Sequence, residues 1–357
     1  MLKLMTPGPT RVRENVRMAR SLETTNPDLD LEFYEYYRET CELISDLLNT
    51  KNPAYILSGE GILGLEAACA SLTEPGDRVL VIDNGVFGRG FADFVRIYGG
   101  EPVLYTTDYQ EIIDAAALKD FLERDHNFKY ATVVHCDTPS GRLNPIQDIC
   151  PLLKSYGILT VVDAVASMFG EPVRVDDWQI DIVCGGSQKA LSAPVGLTFV
   201  TVSEAAMKAM KERKTPIASF YANLTIFEYY YRDKWFPYTM PISDIYGLRR
   251  ALENVKEEPQ IYERHKQVAE YVRNTLQAAG YQLYGNGYSN TVTAMVVPEG
   301  KDAKAILNGV AEEAGVMLAG SFDVFAGKLI RIGHMGENAN MEDAKLTVEA
   351  LLKVLSK

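Results

Sequence analysis

Between residues 54 and 202 the chain alternates short apolar runs with longer amphipathic stretches. The runs are AYIL (54–57), RVLVID (78–83), EPVLYTT (101–107), YATVVHC (130–136), ILTVVDA (158–164), DIVCGG (181–186) and GLTFVTV (196–202). Near-continuous runs rich in Val, Ile and Leu read as strands buried on both faces, and the stretches between them have helical length and period. This alternation predicts an α/β fold with a mostly parallel sheet and helices on both faces. Ligands in such sheets bind beyond the carboxyl ends of the strands. The rhythm breaks over 215–245, where aromatic residues crowd together, as they do in cores and interfaces. A charged helix over 246–279 follows, then strands YQLY and NTVTAMVVP, a helix over 302–314, a strand KLIRIG (328–333) and a closing helix from 341. The change of pattern predicts a large domain with an N-terminal arm over 1–245 and a smaller α+β domain over 246–357.

Composition narrows the function more than the fold. The 357 residues are 47% hydrophobic, enough for a large core, and carry a net charge of −12. That charge argues against nucleic acid or an anionic membrane as partner, since both demand basic surface. Cys41, Cys69, Cys136, Cys150 and Cys184 form no C-x-x-C pair and mostly lie in apolar runs. Buried, reduced thiols in a cytoplasmic protein are the expectation, with no metal site. No signal peptide or membrane-spanning run is apparent.

The segment SGEGILGLEAA (58–68) carries Gly59, Gly61 and Gly64 in G-x-G-x-x-G spacing ahead of a helical run. Such a loop offers an anion free N–H groups and the positive end of the helix dipole. It fits a dinucleotide-binding turn, with Asp83 ending the next strand as the acid for a ribose hydroxyl. Against this, Glu60 would face the pyrophosphate, and nothing downstream suggests a hydride-transfer partner. A second pattern involves more of the chain. Asp163 ends one apolar run, and Lys189 follows another within GGSQKALSAPVG, where small neighbours let a large group approach the ammonium. Taken singly, these are a helix-capping aspartate and a surface lysine. Together, an Asp and a Lys at neighbouring strand ends suit a pyridoxyl ring, the Asp pairing with the ring nitrogen and the Lys forming a Schiff base with the aldehyde.

VVDAVAS and GGSQKALSAPVGLTFV, with TPGPT, LGLEAA, NGVFGRG, DTPSGRLNPI, YTMPISDIYGLR and LIRIG, resemble the class V aminotransferases of the alanine/serine–glyoxylate type. The resemblance covers almost the whole chain. It implies a fold type I aminotransferase that depends on pyridoxal phosphate and is at least a homodimer, with its sites at the subunit interface. It implies that Lys189 is the Schiff-base lysine and Asp163 the partner of the ring nitrogen. Phe87 would stack on the ring, Thr138 would bond near the ring hydroxyl, and Gly61 and Val165 would complete the ring site. Arg331 would clamp the substrate carboxylate. Gln188 and Thr239 would lie at the phosphate end, Thr239 reaching across from a neighbouring subunit.

Departures from the family pattern carry the substrate expectation. Where most members place Ser-Gly-His at the phosphate, this chain has Glu60-Gly61-Ile62, and Phe236 stands where a tyrosine of the neighbouring subunit donates to the phosphate in those members. Two unit charges about 4 Å apart repel by about 4 kcal/mol at an effective dielectric of about 20. A hydrogen bond to a charged group returns only about 1.5–3 kcal/mol. The pocket is therefore expected to favour a hydroxymethyl group, whose O–H can donate to Glu60. Free pyridoxal or pyridoxamine has that group. The resemblance to the pyridoxamine–pyruvate branch of the family implies the reaction pyridoxamine + pyruvate ⇌ pyridoxal + L-alanine, a step of vitamin B6 degradation. That branch carries a second arginine where this chain has Phe322, which leaves the oxo-acid open, and Pro-Asn where it has Ser187-Gln188, which keeps Gln188, a residue that phosphate-binding relatives use. A conventional transaminase holding pyridoxal phosphate, a lyase acting on β-substituted amino acids and a non-catalytic binding protein are the alternatives.

Overall fold

The computed structural model describes residues 2–357. Seven strands form the principal sheet: β1 (Ala54–Ser58), β2 (Arg78–Asp83), β3 (Glu101–Thr106), β4 (Tyr130–Val134), β5 (Leu159–Asp163), β6 (Ile182–Gly186) and β7 (Leu197–Val202). Their spatial order is β1–β7–β6–β5–β4–β2–β3. Only β7 runs against its neighbours; it returns beside β6 and separates it from β1. All seven apolar runs thus form the predicted strands. Nearly every residue of the five strands between β1 and β3 in this order is buried, as expected of a sheet covered on both faces. The carboxyl ends of β1, β2, β4, β5 and β6 share one edge because these strands are parallel. Asp163 ends the central strand, in register with Val134 on one side and Cys184 on the other.

β1 lies at the edge of the sheet, where unpaired backbone groups are a liability. The helix Leu31–Leu47 covers it. Tyr37, fully buried on that helix, donates its hydroxyl to the Ile56 carbonyl and accepts from the Ile56 N–H, both at 2.9 Å. One side chain thereby satisfies both polar groups of an edge residue. The aromatic segment after residue 215 packs on the same helix. The Phe236 ring stacks on Tyr34 at 4.5 Å between centroids and meets Tyr37 edge-on.

A second, antiparallel sheet of three strands, β8 (Val292–Val296), β9 (Ala319–Gly320) and β10 (Leu329–Gly333), has β10 in the middle. Its own cluster of buried residues includes Val268, Leu276, Ile306, Ile330 and Leu351. The N-terminal arm belongs to this cluster through Met5, and Lys3–Leu4 pairs with Val316–Met317. The helix expected over 246–279 is two helices, Ile242–Lys256 and Ile261–Ala278. The break contains Pro259, which lacks an N–H to continue the helix. YQLY makes only one bridge, Leu283 to Met295, and is not a strand. No helix among the described residues is long and apolar enough to cross a membrane.

Tyr37→Phe keeps the ring but leaves the Ile56 N–H and C=O without partners. The expected cost is about 1–3 kcal/mol, the usual range for an unsatisfied buried group, read as a lower midpoint in chemical denaturation. An unchanged midpoint would show that the hydroxyl does not hold this edge.

Candidate active site

A cavity of about 160 Å³ opens at the carboxyl edge of the sheet. β1 leads into Glu60, Gly61 and Ile62; β2 is followed by Phe87, β4 by Thr138, β5 ends in Asp163 and continues to Val165, and β6 is followed by Gln188 and Lys189. Nine residues expected from the sequence to bind the ring and its 5′ substituent therefore converge on one space, joined by Leu65, Cys136 and Ala166.

Asp163 is buried, accepts one hydrogen bond from the Val165 N–H at 2.8 Å, and makes no ion pair. Burial pushes its carboxyl up to about 7, opposed by that N–H and by the Lys189 charge. Lys189 donates to the Pro7 carbonyl at 2.7 Å. Burial, and then the Arg331 charge, pull its amine down to about 8. An acid and a base are thus held near neutrality in one cleft, a common mark of a functional site. The Pro7 contact depends on Gly8, whose φ is +87° and whose place leaves no room for a Cβ; one would fall 2.5 Å from Lys189 Cδ.

The loop that resembles a phosphate cradle holds its own anion. Glu60 caps the helix Gly61–Leu72, its Oε1 accepting from the Ile62 N–H at 3.1 Å. Its Oε2 accepts from Gln188 Nε2, also at 3.1 Å. Asp83, the candidate ribose acid, is instead committed to Arg89, Thr106 and Tyr109.

Arg331 lies in the middle of the small sheet and outside the lining of the cavity, yet it reaches the cavity wall. Nε and Nη2 donate to the Gly320 carbonyl at 2.9 and 2.7 Å, and Nη1 donates to the Thr138 carbonyl at 3.3 Å. A guanidinium has five N–H donors. Three are used, which leaves one on each terminal nitrogen, a pair that matches the two oxygens of a carboxylate. Burial lowers its pKa to about 10, so an arriving anion is favoured.

Within its own chain Phe236 is 3% exposed, packed against Tyr34, Tyr37 and Tyr230 and outside this cavity; its expected place is the site of a neighbouring subunit. Thr239 is exposed and also stands outside this cavity. Asp137 is the polar residue that the sequence reading passed over. It is buried, accepts from the Phe87 N–H at 3.2 Å and the Ser140 hydroxyl at 2.7 Å, and so fixes the position of the Phe87 backbone. Its signal was the one that marked Asp163, an acid just beyond the end of an apolar strand. His334 is buried and neutral, with burial lowering it to about 3, and it bonds Thr293 and the Asn290 carbonyl in a structural role.

The residues present fit a pyridoxyl ring. The Asp163 carboxylate lacks a cationic partner, Gln188 Oε1 is buried with no partner, and Val165 forms a shelf so close to Gly61 that a Cβ there would lie 2.8 Å from Val165 Cγ1. The fold and the site together define a fold type I aminotransferase. The chain belongs to the class-V aminotransferase family, whose sequence model matches residues 13–322. It is 35% identical to the pyridoxamine–pyruvate transaminase of Mesorhizobium japonicum, over 94% of this chain and 86% of that protein. It is 32% identical to the alanine–glyoxylate aminotransferase of Callithrix jacchus, over 99% of this chain and 87% of that one. The crystal structure of the ureidoglycine–glyoxylate aminotransferase from Bacillus subtilis superposes with a TM-score of 0.95 at 30% identity, covering 100% of this chain and 93% of that one.

The raised Asp163 pKa makes a signed prediction for the ligand-free protein. A carboxyl held near 7 when folded and near its ordinary 3.8 when unfolded favours folding below about pH 4, and that contribution is lost as pH rises to 7. Asp163→Asn should be stabilised relative to wild type by an amount that grows from pH 4 to 7 and then levels off, on the order of 4 kcal/mol for a shift of about three units. Parallel stability curves for the two proteins across that range would contradict it.

Proposed function

We propose that this enzyme interconverts pyridoxamine plus pyruvate and pyridoxal plus L-alanine, taking the unphosphorylated ring as a substrate that enters and leaves. The observation that carries the reading is the Glu60 carboxylate capping the helix Gly61–Leu72 where a phosphate would sit. An N-cap anion of this kind is worth about 1 kcal/mol to the helix. A phosphate would have to displace it or bear its repulsion. A hydroxymethyl group instead donates to it. The Ile62 side chain beside it is 39% exposed and offers no donor.

The chain's own groups supply the rest. When bound, the ring provides a carbonyl for the lysine amine and an electron sink for the bond broken at the substrate Cα. Asp163 holds a proton on the ring nitrogen. Phe87 and Val165 face the two sides of the ring, and Thr138 lies near its hydroxyl. Arg331 takes the substrate carboxylate with its two remaining N–H groups. Lys189, with a pKa near 8, moves a proton between the substrate Cα and the C4′ position, which suits a group poised near the working pH. The exposed side chains Phe220, Tyr221, Tyr229 and Trp235 support a homodimer in which Thr239 approaches the neighbouring site.

A conventional enzyme holding pyridoxal phosphate is the second reading. It is favoured by Gln188, whose amide points to the same end of the cavity.

Spectral titration with pyridoxal and with pyridoxal phosphate separates the two. Wild type should bind pyridoxal more tightly, and Glu60→Gln should swing the ratio toward the phosphate ester by at least about tenfold, or about 1.4 kcal/mol. Tighter binding of the phosphate ester by wild type would favour the conventional enzyme. Lys189→Ala should abolish the visible band that pyridoxal induces and lower turnover by several orders of magnitude, with the fold intact. Borohydride trapping in wild type should mark Lys189 alone; normal turnover in the variant would remove the lysine from the chemistry.

A further inference from the structure

A short hairpin sets Asp137 against a second buried charge. Cys136–Asp137 pairs with Arg142–Leu143, and the register puts Asp137 directly opposite Arg142. Opposite residues of an antiparallel pair project on one face, with Cβ atoms about 4.5–5.5 Å apart. Asp137 is 1% exposed, and Arg142 is completely enclosed. Gly285, at a φ of +65°, closes over Arg142 Nη1 and leaves no room for a Cβ. Arg142 Nε, Nη1 and Nη2 have no hydrogen-bond partner among the described residues. A guanidinium that uses none of its donors acts on its surroundings through charge alone.

The acids around Arg142 are unequal. Asp108 and Glu111 are exposed to water, and Glu111 accepts from the Asn286 amide. Asp137 is the one buried beside it. Burial pushes the Asp137 carboxyl up, and the Ser140 hydroxyl, the Phe87 N–H and the Arg142 charge oppose this. Cys136, Asp163, Tyr284 and Arg331 are the other titratable groups that face Asp137. Of these only Arg331 is a cation, and the Asp137 charge offsets the burial of its guanidinium. One carboxylate is thus flanked by two arginines, Arg142 behind the hairpin and Arg331 toward the cavity. Removing one member of such a buried set leaves an uncompensated charge, whereas removing both partners of a pair does not.

We propose that Arg142 is a positioning residue: its charge balances the Asp137 carboxylate across the hairpin, and that carboxylate seats Phe87 against the ring and steadies Arg331 for the substrate carboxylate. The first of these links runs through the Phe87 N–H, 3.2 Å from Asp137 Oδ1. The proposal rests on the aminotransferase reading above and adds a residue that lies outside the lining of the cavity.

The test compares wild type, Arg142→Met, Arg142→Lys, Asp137→Asn and the double variant of Arg142→Met with Asp137→Asn. In chemical denaturation of the ligand-free proteins, Arg142→Met should lower the midpoint of wild type, because a buried carboxylate is left alone. The same substitution should raise the midpoint of Asp137→Asn, because there it removes a cation that has lost its partner. Arg142→Lys keeps the charge, and no fork geometry is in use, so it should restore most of the midpoint. In spectral titration with pyridoxal near pH 6, Arg142→Met should bind about tenfold more weakly than wild type, the order of the difference between a charged and a neutral hydrogen-bond acceptor. That loss should shrink as pH rises toward about 9 and Asp137 ionises, while the loss in Asp137→Asn stays constant. Ratios to wild type cancel the titrations of Asp163 and Lys189, which all the proteins share. A packing defect alone would shift the midpoint in the same direction in both backgrounds and give a loss that pH does not move; either result, or a lysine that restores nothing, would overturn the proposal. If Arg142→Met does not fold, the double variant still should, and its failure to fold would also overturn it. The denaturation cycle involves no substrate. Titration repeated with pyridoxal phosphate shows separately whether the unphosphorylated reading has failed: the phosphate ester would then bind more tightly in every variant, with the reversal of sign in the cycle intact.

Discussion

A carboxylate buried at the end of the central strand without a cation is the constraint on which the site depends. Asp163 has lost water and gained only one backbone hydrogen bond. Such a group is expensive to keep ionised until a positive partner arrives. The rest of the cleft prolongs that tension. Lys189 is held away by the Pro7 carbonyl, and Arg331 is held by two carbonyls on the other side. The three charges share a field without cancelling, and on the proposed reading a ring with a protonated nitrogen completes the arrangement.

The same logic, with the sign reversed, governs the far end of the cavity. A helix N-terminus attracts an anion, and here the chain supplies its own in Glu60. A built-in anion discriminates against an external one chiefly by repulsion, whereas the donors Ile62 N–H and Gln188 Nε2 are merely occupied. On the proposed reading, binding at one end draws on an unpaired negative charge, and selection at the other on a paired one. Between them, the Phe87 and Phe322 rings meet edge-on, and Phe322 packs against the Arg331 guanidinium.

The seven strands of the principal sheet were legible because a strand buried on both faces must be apolar throughout, and the turns between such strands cannot be. Glu60 was legible from its place in the glycine loop and Thr138 only through the family resemblance; Asp163 and Lys189 were legible for a reason related to the strands. Polar residues at the carboxyl ends of apolar strands are either capped or functional, and parallel strands bring those ends to one edge. Less could be read where one side chain has two plausible environments. Phe236 suits a pocket wall and a core equally well by its chemistry, and only the packing of Tyr34, Tyr37 and Tyr230 around it places it outside the cavity of its own chain.

The sequence by itself determined the α/β architecture, the acid and the lysine at neighbouring strand ends, and the family, because these follow from local pattern and from motifs of fixed spacing. Tertiary structure alone decided that Glu60 turns back onto its own helix, that Pro7 restrains Lys189, that the N-terminal arm joins the C-terminal core, and that Phe322 lies beside Arg331. Each of these joins groups whose separation along the chain says nothing about their distance in space, or chooses between a side chain facing the solvent and one facing its own backbone. Only the packing of the whole molecule makes that choice.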